Sequence, residues 1–148
     1  MSARFTIWSA LAVLAIPAIT FLITGLAAGM GVPGTIAAFA EQCSQHRQNP
    51  LVVGLLGAAP LILLWIAVRV VRRNPAISPS AAAWGGLVPI VVVLAWASFQ
   101  FWPKFLPSRV YPGFPHGLEF VLGPLVFAPI GMVLGLVVAT VATRRSAP

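Results

Sequence analysis

The chain has 148 residues, of which 59% are hydrophobic and only 7% charged. Soluble domains carry roughly 25% charged residues, so water is the wrong solvent for this composition. Nine Lys and Arg against two acids give a net charge of +7, but the cations stand at the ends of apolar runs and not on a polar face with interleaved aromatics, which argues against nucleic acid and for lipid phosphate.

The first apolar run extends from Phe5 to about Met30. Secretory signals have apolar cores of only about 7 to 15 residues, so this run reads as a retained first span over about 5–29, with Trp8 near its start and Gly25 and Gly29 near its end. The loop that follows holds Pro33, Glu41, Gln42, Cys43, Ser44, Gln45, His46, Arg47 and Asn49, the only densely polar stretch of the chain. A second span is expected over about 51–71, closing on Arg69, Arg72 and Arg73, and Pro75 and Pro79 then mark a tight, extended turn.

The third span is expected over about 81–101. Trp84 near one end and Trp96 and Trp102 near the other suit indole rings at the headgroup level. A loop rich in proline and aromatic residues, from Trp102 to Gly117, reads as interfacial, and a fourth span over about 118–141 stops at Arg144 and Arg145. The expected fold is therefore all-α and integral to a membrane: one domain, 1–148, built as a four-transmembrane-helix bundle with short loops. Each span contains proline (Pro17, Pro60, Pro89, Pro124 and Pro129), which membrane helices tolerate where neighbours satisfy the freed carbonyl.

With the amino terminus inside, the cytoplasmic side collects Arg4, Arg69, Arg72, Arg73, Arg144 and Arg145, and the far side keeps Arg47, Lys104 and Arg109. Cationic flanks resist translocation, so both termini are expected in the cytoplasm, in a bacterial cytoplasmic (inner) membrane.

No Asp, Glu, Lys or His lies at mid-depth in any span. Ion-coupled pumps and voltage sensors place a titratable group there, because the moving charge needs a partner. The chain is similar to the small multidrug exporters in size and span number, but those carry a carboxylate in the first helix, where this one offers Thr6, Ser9, Thr20 and Thr24. Four-span fluoride channels rely on an intramembrane asparagine, and here Asn49 and Asn74 both fall in loops. One cysteine excludes an internal disulfide and the paired thiols of quinone-coupled oxidoreductases.

Two groups of candidate residues remain. Gly25 with Gly29, and Gly131 with Gly135, stand four apart and would let helix backbones approach closely. On the outer face gather Glu41, Cys43, His46, His116 and Glu119, which include all the acids, histidines and cysteine of the chain. Cys43, His46, His116 and Glu119 offer donor types that suit copper or zinc. The pairs Cys43 with His46 and His116 with Glu119, each three apart, match no zinc signature, however, so polar residues placed in outer loops are the simpler account and no cofactor is expected. Glu119, in the first turn of the fourth span, is favoured there by the helix dipole and is expected to pair with Lys104, Arg109 or His116.

The functional expectation is a non-enzymatic accessory or assembly subunit, with the lipid bilayer and other membrane subunits or further copies as partners and no nucleic acid. The alternatives are a small oligomeric transporter or channel, an immunity-type membrane protein, and a membrane enzyme using the outer-face residues.

Overall fold

The computed structural model describes residues 3–45, 54–75, 77–105 and 118–144, with no strand among them. Helix α1 spans Ala3–Ala27, α2 Val32–Gln45, α3 Ala58–Val71 and α4 Pro79–Phe101, the last running into a 3-10 turn, Trp102–Phe105. A short helix α5, Glu119–Leu122, a π turn, Gly123–Phe127, and α6, Ala128–Arg144, follow one another without a break. Four helical stretches, Ala3–Ala27, Gly54–Val71, Pro79–Phe101 and Gly123–Thr143, are long and apolar enough to cross a membrane. At about 1.5 Å per residue the shortest is roughly 27 Å long, close to the thickness of a hydrocarbon layer.

Helix is the form these stretches can take in an apolar medium, because it satisfies every backbone donor and acceptor within the segment. The starts and stops follow local chemistry. Ser78 caps α4 in an extended conformation, its side chain accepting from the Ala81 N–H at 3.4 Å, and Pro79 occupies the first turn, where its missing donor costs nothing. The third span thus begins two residues before the expected Ala81.

Helix α1 ends in a Schellman turn: Met30 N donates to the Gly25 carbonyl at 3.1 Å and Gly29 N to that of Leu26 at 3.0 Å, with Gly29 at φ 80. Gly29 therefore lies beyond the helix and serves the turn. A Cβ placed on it would meet nothing within 4 Å.

In the fourth span, Ala128 N reaches back to the Gly123 carbonyl, the i→i+5 bond of a π turn. Widening the helix by one residue there accommodates Pro124 and Pro129, whose rings would crowd a regular ladder.

Helix α4 is the centre of the bundle, with α1, α3 and α6 packed around it. The core joins Val13 and Ile16 of α1, Leu61, Leu64 and Val68 of α3, Leu87, Ile90 and Leu94 of α4, and Ala128 and Met132 of α6. A second cluster, Phe21, Phe101 and Trp102, fills the end of the bundle where α1 finishes, under Ala38 and Phe39 of α2. Trp102 is wholly buried, so it turns inward from the end of α4, unlike Trp84 and Trp96, which are exposed.

Helix α2 also departs from expectation, because residues Val32–Gln45 of the expected polar loop are helical. Pro33 falls in its opening turn, where proline is tolerated, and Thr35, Ala38, Phe39 and Gln42 repeat at helical spacing as its inner face.

Candidate functional site

The expected outer-face residues that the structure describes fall on α2 and at the start of α5. Glu41 is exposed on α2 and Cys43 is half-buried beside it. His46 and His116 lie outside the described residues. Glu119 opens α5, and its side chain also lies outside them. Among the described residues no three His, Cys, Asp or Glu side chains converge on a point that would hold a metal ion.

Inside the bundle the structure assembles two polar relays that the sequence reading does not contain. The Trp102 indole N–H donates to Thr20 Oγ1 at 3.1 Å, and that hydroxyl donates onward to the Ile16 carbonyl at 2.7 Å. The Trp65 indole N–H donates to Ser9 Oγ at 3.3 Å, and Ser9 donates to the Thr6 carbonyl at 3.1 Å. Each hydroxyl thus accepts from another element and donates within its own helix, so the indole and hydroxyl donors of both relays are met. The signal for the second relay was a tryptophan, Trp65, away from the expected interface positions, since an indole N–H in an apolar layer requires an acceptor.

Trp102 is further held by edge-to-face contacts with Phe21 and Phe101, each at a centroid distance of 5.1 Å. At the same end, Gln42 and Gln100 each bury a side-chain carbonyl oxygen that has no hydrogen-bond partner among the described residues.

The small residues form the third constellation. A Cβ on Gly135 would run into the carbonyl oxygen of Gly85, and one on Gly85 would lie 2.8 Å from the carbonyl oxygen of Gly135 and 2.6 Å from Ala139 Cβ. Gly131 faces Pro89 across the same seam, with 3.1 Å from its Cβ position to the Pro89 Cβ. Pro89 has no N–H to give the Gly85 carbonyl four residues back, and that same oxygen stands against the backbone of Gly135, where a Cβ would clash with it. The proline and the glycines therefore belong to one device. Gly25 has an analogous place in α1: its Cβ position is 2.5 Å from Thr35 Cγ2 of α2.

Comparison with protein-family models, with curated proteins and with solved structures finds no match to this chain. Its chemistry rests on its own residues. The described interior offers relayed hydroxyls, indoles and close-packed backbone, which hold its helices together.

Proposed function

We propose that the chain is an integral membrane protein of a bacterial cytoplasmic membrane, with both termini in the cytoplasm, acting as a non-enzymatic accessory or assembly subunit of a larger membrane complex. The observation that supports membrane residence is the distribution of polarity. Ile7, Leu11, Ile62, Ile66, Val92 and Val137 point outward, and the hydroxyls of Ser9, Thr20 and Thr35 are buried and hydrogen-bonded. In water each Å² of such apolar surface would cost about 25 cal/mol, a penalty that lipid removes.

The subunit role is supported by the fourth span. Only 11% of its apolar stretch is buried, against 44% for the third span. One face of α6 closes on α4, and Ile130, Val133, Leu134, Val138 and Val141 face outward. A chain with little soluble mass and a packed interior presents its partners mainly with such helix faces.

The test is extraction in mild detergent at native expression level, with photo-crosslinking from position 134. The reading expects a particle of fixed composition containing a second membrane subunit, crosslinked through α6. A lone chain, crosslinked only to lipid, would overturn it. A particle made solely of copies of this chain would also overturn it and would favour the small oligomeric transporter or channel.

A further inference from the structure

We propose that the cleft between α1 and α4, at the end of the bundle where α1 begins, binds one anionic phospholipid, with an acyl chain in its apolar groove and the phosphate at Arg72. Two cavities meet there. The larger, of ≈ 590 Å³, is walled by Phe5, Trp8 and Ala12 of α1 and by Trp84, Val88 and Val92 of α4. The smaller, of ≈ 260 Å³, brings in Arg72 and Ser80. Phe5 and Trp84 line both, their rings set edge-to-face at 5.7 Å and 86°, so the groove passes from one cavity to the other around a single aromatic pair.

The sequence of environments along this groove is that of a phospholipid. An acyl chain needs a long apolar trough. A phosphate needs a donor array, and a guanidinium supplies the planar fork that matches its oxygens, with a hydroxyl beside it. Trp8 and Trp84 are 70% and 57% exposed on the flanks, where indoles mark the headgroup depth.

The charge pattern selects an anionic headgroup over a zwitterionic one. Arg4, Arg69, Arg72 and Arg73 belong to helix ends at this side of the bundle. The two acids of the chain, Glu41 and Glu119, stand on elements at the other side. Arg69 offers an internal comparison: it lines a separate cleft of ≈ 240 Å³ with Thr6, Ile62, Trp65 and Ile66, which shares no wall residue with the apolar groove. It carries the same charge at the same end without the acyl trough.

This inference rests on the membrane reading above, and its test is separable from it. Purified chain in detergent is offered phosphatidylglycerol or phosphatidylcholine with identical acyl chains, and lipid retention is read by native mass spectrometry, with inorganic phosphate as competitor. The wild type should retain phosphatidylglycerol about fivefold better than phosphatidylcholine, as one well-placed cation provides. Arg72→Ala should abolish that preference and Arg69→Ala should leave it. Val88→Trp, which fills the trough, should lower retention of both lipids while the particle stays monodisperse.

Equal retention of the two lipids by the wild type, equal effects of the two arginine variants, or full retention in Val88→Trp would overturn the site. Displacement of the lipid by millimolar phosphate would show an anion pocket without an acyl site and would equally overturn it. Failure of any of these arms leaves the transmembrane topology measurable by independent means.

Discussion

Gly85 of α4 and Gly135 of α6 meet backbone to backbone, each carbonyl oxygen standing where a Cβ on the other would clash, and Pro89 leaves the Gly85 oxygen without its usual i+4 donor. Small residues permit this approach, and in lipid close van der Waals packing is the main force holding helices together. The seam joins the fourth span, the least buried of the bundle, to its centre.

Substitution along the seam should follow the space at each position. Gly135→Leu forces a side chain into the Gly85 carbonyl and should destabilise the fold by about 3 kcal/mol or more, at or above the top of the usual overpacking range. Gly131→Ala meets Pro89 Cβ at 3.1 Å and should cost less. Thermal unfolding in detergent ranks the variants, and an unchanged midpoint for Gly135→Leu would refute the seam.

The two indole relays should be separable by double-mutant cycles. Thr20→Val leaves the buried Trp102 N–H without an acceptor and should cost about 1 to 3 kcal/mol, and Trp102→Phe combined with Thr20→Val should be less than additive. Ser9→Ala against Trp65→Phe should show a smaller coupling, in line with its longer 3.3 Å bond and partial exposure. Strict additivity in the Thr20–Trp102 cycle would remove that bond from the account.

Gly29 makes a prediction of the opposite kind to Gly135. Nothing crowds its Cβ position, but its φ of 80 is costly for an L-residue. Gly29→Ala should therefore lose about 1 kcal/mol through backbone strain alone, and Gly29→Asn should recover part of it. If Gly29→Ala is as stable as the wild type, α1 does not end in this turn.

Much of the fold was legible because apolar runs of membrane-spanning length dominate the chain, and the four helices fall near the expected spans. What escaped was finer. Residues 32–45 looked like a loop because their polar side chains outweighed the helical spacing of Thr35, Ala38, Phe39 and Gln42. Gly29 looked like a helix-packing residue because a four-residue spacing carries no information about where the helix stops. Trp102 looked interfacial because an indole at a span end is read the same way whether it turns to lipid or, as here, to Thr20. At the candidate outer-face site, Glu41 and Cys43 fall together on α2, His46 and His116 lie outside the described residues, and Glu119 is placed only by its backbone.

The central claim is that four helices cross the membrane with both ends on the cytoplasmic side, and reporter fusions test it most directly. A phosphatase or fluorescent-protein reporter joined after Arg73 and after Arg145 should register as cytoplasmic, and one joined after Arg47 should register as exported, because the cations cluster where translocation must be resisted. An exported Arg145 fusion, or a cytoplasmic Arg47 fusion, would contradict the four-span, both-ends-inside account.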